Sequence, residues 1–199
     1  TMMDLKKNYL IITAHPDDLE MACAGTVKRI LEEGGTVTNW IMVKPTVDIR
    51  PSRSGKKVIE ELTKSNSILG HSFEIYNTDC YSNGRPNLQL TSNLITELEN
   101  KCQDHKTCYS IAEILARKNF KQFLCFDQPL YNRFYKTFKK SIYVDISSYI
   151  NVKKDCLKCY DSYFTNSEID TIIDYNSYNG SFLGNKKFAE TFNLIYSKQ

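Results

Sequence analysis

The chain has 199 residues, of which 41% are apolar, 12% aromatic and 25% charged. These proportions describe one globular domain of ordinary size and exclude a long disordered tail and a disulfide-stapled miniprotein. The 26 basic side chains exceed the 23 acidic ones by only +3, and Lys56-Lys57, Lys139-Lys140 and Lys153-Lys154 are dispersed, so no nucleic-acid partner is implied.

The apolar run from Tyr9 to Ala14 is too short for a membrane span or a signal-peptide core. Seven cysteines is an odd number, without a framework spacing, which suits a reducing compartment and leads us to expect a cytoplasmic protein. Cys156-Leu157-Lys158-Cys159 has no second pair to complete a zinc ribbon and lies too late for a thioredoxin-like motif, so its cysteines are expected to be ordinary thiols.

Asn8 to Ala14 reads as a short apolar strand and His15-Pro16-Asp17-Asp18 as a turn. Met21, Val27, Ile30 and Leu31 then recur at helical spacing until Gly34-Gly35. Thr36 to Val43 predicts a second strand, the segment from about Arg53 to Leu69 a second helix closed by Gly70, and Phe73 to Tyr76 a third strand. Helices follow near Thr91 to Lys101 and from Lys106 to Lys118, strands at Gln122 to Phe126 and Ser141 to Ile146, and helices near Val152 to Phe164 and Lys186 to Ser197. No repeat or linker divides the chain, so residues 1–199 are expected to form a single domain. Strands alternating with helices imply right-handed crossovers, hence an α/β fold: a Rossmann-like three-layer sandwich with a mainly parallel sheet.

On such a sheet chemistry gathers at the carboxyl ends of the strands, where His15 to Asp18 falls. Neither a G-x-G-x-x-G nor a G-x-x-x-x-G-K-[ST] is present, which disfavours dinucleotide and P-loop nucleotide binding. A histidine and a carboxylate three positions apart on a turn can converge on one ion, with Asp17 left to face whatever the ion binds. The same tetrapeptide also reads as an ordinary helix start, with Pro16 in the first turn and an aspartate cap.

A second cluster favours the metal. The chain has three histidines, and His105 closes Cys102-Gln103-Asp104-His105 at the start of another predicted helix. His15, Asp18 and His105 would form the three-ligand set of a catalytic zinc, with positions left for water and substrate. His71, beside the Gly70 stop and without a carboxylate neighbour, is expected to be structural.

Ala14-His15-Pro16-Asp17-Asp18 resembles the A-H-P-D-D core of the LmbE/PIG-L zinc-dependent deacetylases, which remove acetyl groups from N-acetylglucosamine-containing substrates. Glu20, Gly25-Thr26, Glu61, Leu69-Gly70, Cys102 to His105 and Phe188-Ala189-Glu190 with Phe192 fit later motifs in order, so the resemblance covers nearly the whole chain. It implies that His15, Asp18 and His105 hold zinc. It also implies that Asp17 is the general base as metal-activated water attacks the acetamide, and that Asp104 orients a neighbouring group. Arg50 or Arg53 is expected to supply a substrate-facing charge in place of the family arginine, where this chain has Val58, and Asp79 and Gln128 to hydrogen-bond sugar hydroxyls. The implied partner is a small-molecule amino-sugar derivative or glycoconjugate; homo-oligomerisation stays open.

The chain departs from the family at Cys102, which stands where the family has the first histidine of its H-x-D-H box. A thiol donates hydrogen bonds poorly, which motivates the alternative of a degenerate member that binds sugar or metal without turnover. The family also carries a buried strand and a loop, roughly 20 residues, before this box; here the predicted helix ending near Lys101 runs almost directly into it, so Cys102 either replaces that histidine or belongs to the helix.

Overall fold

The computed structural model describes residues 3–43, 54–76, 103–130, 138–185 and 187–198. Strands β1 (Asn8–Thr13), β2 (Thr36–Ile41) and β3 (Ser72–Ile75) pair in parallel in that order, with Thr13 opposite Ile41 and Ile41 opposite Ile75. Helix α1 (Asp18–Glu32) connects β1 to β2, and α2 (Gly55–Leu69) precedes β3. α2 starts where Ser54 Oγ accepts the Lys57 backbone N–H at 3.2 Å. It stops at Gly70, whose φ of 85° lies in the left-handed region open to glycine.

The second half holds α3 (Gln103–Asn119), β4 (Gln122–Phe126), β5 (Ile142–Asp145), α4 (Ile150–Lys158), α5 (Asn166–Gly180) and β6 (Ala189–Ser197). Its strands form a separate antiparallel sheet in the order β4-β6-β5. The fold is α/β, but the described strands divide into a parallel and an antiparallel sheet where the sequence suggests one mainly parallel sheet.

Two element assignments need correction. Lys186 to Ser197 reads as a helix because Phe188, Phe192 and Ile195 fall at helical spacing, yet Ala189–Ser197 is the central strand of its sheet. Phe192 stands opposite both Phe126 and Ile142, and the first four residues of β6 are all buried, so the alternation that marks a half-exposed strand is missing. Helix α5 goes unread in the sequence although it carries a clear signal. Thr165 Oγ1 accepts the Glu168 N–H at 3.3 Å while Glu168 Oε2 accepts the Thr165 N–H at 2.8 Å, a complete capping box.

The core joins the two halves. Leu19, Val27 and Ile30 of α1 pack in one cluster with Val37 of β2, Ile142 and Val144 of β5 and Phe192 of β6. α1 is kinked at Cys23, whose φ of −146° and ψ of 22° break the helical backbone. The interruption exposes a second helix start inside α1, and its Gly25 and Thr26 N–H groups donate to the Glu190 carboxylate at 3.1 and 2.7 Å. Lys153 Nζ on α4 donates to the same carboxylate at 2.7 Å, with both side chains fully buried. A Cβ on Gly25 would lie 2.8 Å from Ile146 Cβ, so this approach admits only glycine.

Among the described residues β1 pairs only with β2 and β4 only with β6. Their remaining edges line a cavity of about 770 Å³, walled also by Val27 of α1 and Leu115 of α3, which reaches Asp18, His105 and Gln128 at one end.

His71 is 4% exposed, and neither ring nitrogen has a hydrogen-bond partner among the described residues. Burial pushes its pKa from 6.5 down to about 4. The unfolded chain therefore binds a proton below pH 6.5 that the folded chain refuses until about pH 4, and stability falls as pH drops through that window. His71→Leu should flatten this part of the profile of urea midpoint against pH; an unchanged slope would reject the assignment.

Candidate metal centre

β1 delivers the chain at its carboxyl end into the turn His15 to Asp17, and α1 begins at Asp18. Asp17 occupies the cap position, but its side chain makes no capping bond. Asp18 folds back instead: Oδ2 accepts the backbone N–H groups of Ala14 and His15 at 3.0 and 2.8 Å. These bonds fix the Asp18 carboxylate against the end of β1. The ordinary-cap reading of the tetrapeptide therefore does not describe the turn.

His105 lies in the first turn of α3, and its Nε2 is 3.1 Å from each Asp18 oxygen. His15 Nδ1 is 3.7 Å from Asp18 Oδ2, and the two imidazole rings meet edge on at a centroid distance of 5.2 Å. One donor atom from each of His15, Asp18 and His105 lies within 4.8 Å of the others. Two imidazoles and one carboxylate are a donor set that suits zinc, whose ligands, bonded at about 2.0–2.1 Å, stand about 3–4 Å apart, so the group would draw in slightly around the ion. The Asp18 side chain is 3% exposed, whereas His15 and His105 retain 34% and 26%, so the group is anchored from below and open on the imidazole side. Burial works against the Asp18 charge, but the His105 contact, the nearby His15 and the backbone bonds together hold its carboxyl below its ordinary pKa.

A buried acid network supports the turn. Glu20 Oε1 accepts from Ser65 Oγ at 2.6 Å and from Tyr160 Oη at 2.9 Å, and the Tyr160 hydroxyl also lies 2.9 Å from the Pro16 carbonyl oxygen. Tyr160 thus links the corner between α4 and α5 to the peptide that joins His15 to Asp17. Burial pushes Glu20 up to about 7, with the neighbouring Asp17 adding to the shift. Nearby, Glu61 of α2 accepts from the backbone N–H and hydroxyl of Ser162 at 2.9 and 2.7 Å.

The structure brings together His15, Asp18, His105 and Gln128, whose Nε2 donates to Asp18 Oδ1 at 3.0 Å. Asp17 is buried in the same turn, 2% exposed. Asp104 lies beside His105 in the first turn of α3, but its side chain is outside the described residues, as are Arg53, Asp79 and Cys102. Ser65 and Tyr160 are absent from the sequence reading because nothing local marks them; they lie 45 and 140 positions from Glu20. The C-x-x-C cysteines take no part in the metal group: Cys156 is buried in the core, and Cys159 Sγ contacts the Asp155 carbonyl at 3.3 Å.

Solved structures repeat this architecture. The conserved protein TT1542 from Thermus thermophilus aligns with a TM-score of 0.70 at 19% identity, over 98% of this chain and 97% of its own. The N,N'-diacetylchitobiose deacetylase from Pyrococcus horikoshii, solved with its inhibitor MPG, aligns with a TM-score of 0.66 at 17% identity, over 96% of this chain and 84% of its own. The chain has the fold of the LmbE/PIG-L deacetylases. The same fold is present in GalB, the 4-carboxy-2-hydroxymuconate hydratase from Pseudomonas putida, with a TM-score of 0.69 at 15% identity over 97% of this chain and 98% of its own. No family model matches the chain, and no curated protein matches it in sequence. Among the described residues, no helix is long and apolar enough to cross a membrane.

Proposed function

We propose that the chain is a zinc-dependent hydrolase that removes the N-acetyl group from an N-acetylglucosamine-type amino sugar. The observation that carries this reading is the convergence of His15, Asp18 and His105 at one strand end, with Asp17 buried in the same turn. Because the fold also carries a hydratase, the fold alone does not select the reaction; the donor set and the buried Asp17 carboxylate support a metal-activated water as the attacking group. The likeness to a chitobiose deacetylase supports an acetylated amino sugar as the substrate class.

His15, Asp18 and His105 would hold the ion. When bound, zinc supplies Lewis acidity, bringing the pKa of its water to about 7 and polarising the amide carbonyl. Asp17 takes a proton from the attacking water and returns it to the departing amine, which leaves poorly unless protonated. From the resemblance to the deacetylases, Asp104 is assigned to orienting a neighbouring group, and Arg53 and Asp79 to binding the sugar.

Chelation followed by dialysis should abolish acetate release from N-acetylglucosamine derivatives, and about one equivalent of zinc should restore it. Turnover that survives complete metal removal would reject the metal-dependent reading. Stoichiometric zinc binding without acetate release from free sugars, nucleotide sugars or glycolipids would favour the non-catalytic alternative.

A further inference from the structure

The two oxygens of Asp18 have different surroundings. Oδ2 accepts two backbone N–H groups, from Ala14 and His15, which occupies both of its lone-pair directions. Oδ1 accepts only from Gln128 Nε2, at 3.0 Å, among the amide and backbone donors and so keeps one direction; His105 Nε2 stands 3.1 Å from both oxygens and does not itself distinguish them. The orientation of the glutamine follows from chemistry, since turning its amide over would set a carbonyl oxygen against a carboxylate.

The donor is also of a suitable kind. A lysine or arginine at this distance would neutralise Asp18 and compete with a cation for it, whereas a neutral amide orients the carboxylate and leaves its charge available. Gln128 follows the end of β4 in the antiparallel sheet, 110 positions from Asp18, so the bond also ties that sheet to the turn at the end of β1.

We infer that Gln128 is a positioning residue: its side-chain amide holds the Asp18 carboxylate so that the remaining Oδ1 lone pair faces the ion shared with His15 and His105. This rests on the proposed metal site and assigns Gln128 a task other than the sugar contact expected from its sequence position. Hydrogen-bond partners of metal ligands commonly change metal affinity by about 10–100-fold when removed.

The test uses metal-free full-length protein, with Co(II) as a spectroscopic probe and zinc affinity measured by chelator competition. Gln128→Leu, similar in size but without a donor, should weaken zinc binding by about 10–100-fold and alter the visible Co(II) bands. KM at saturating zinc should stay at the wild-type value. Wild-type zinc affinity and an unchanged Co(II) spectrum would overturn the inference, and a raised KM beside them would return Gln128 to the sugar. Should Gln128→Leu fail to fold, Gln128→Met gives the same readings with a more flexible side chain. A wild-type protein that binds neither zinc nor Co(II) would overturn the metal site itself, an outcome distinct from failure of the Gln128 role alone.

Discussion

Asparagine in place of Asp17 is expected to leave zinc bound near one equivalent while kcat falls by about 10²–10⁴-fold, the usual contribution of a well-placed acid–base group. The substitution is isosteric, which matters at a side chain only 2% exposed, and Asp17 makes no capping bond whose loss would loosen α1. Asp17 stands outside the metal-ligand group formed by its neighbours His15 and Asp18 with His105, so proton transfer can be lost without the ion. Metal analysis beside acetate release separates the outcomes: wild-type turnover rejects the base role, and zinc lost in step with turnover makes Asp17 a ligand instead.

What the sequence discloses depends on how local each interaction is. His15 and Asp18 are legible because three positions across one turn bring an imidazole and a carboxylate to the same strand end. His105 is 87 positions from Asp18 and is legible through its aspartate neighbour and predicted helix start, a pattern rather than a spacing. Gln128, Ser65 and Tyr160 reach the site from other elements, and no periodicity encodes such meetings. Elements with a locally marked apolar run or periodicity, β1, α1, β2 and α2, follow their predicted spans closely. β6 reads wrongly as a helix because its first half, buried on both faces, has no alternation to show. Nor does periodicity reveal which strand edges pair, so the division into two sheets, with a cavity between β1 and β4, emerges only in three dimensions.

Breaking the buried pair of Lys153 and Glu190 should have the largest effect on stability. Lys153→Met keeps most of the apolar stem of the lysine but leaves a carboxylate without its counterion in a fully buried position. Removing one partner of such a pair typically costs about 3–5 kcal/mol. Here the Gly25 and Thr26 N–H groups continue to stabilise the anion, which places the expected loss toward the lower end of that range. Adding Glu190→Gln to Lys153→Met should recover part of the loss, since the charge is gone and the amide oxygen still accepts one N–H. Recovery stays incomplete because the amide NH₂ then confronts the other helix N–H. Urea unfolding of the two variants, compared at equal m-values, decides the matter: a loss below about 1 kcal/mol for Lys153→Met would mean that the buried charge is not held by this pair. The pair also bears on the site, because Glu190 fixes the second half of the helix whose first turn carries Asp18. A variant that melts early but binds zinc normally when folded would show that the kink at Cys23 insulates the metal turn from the rest of α1.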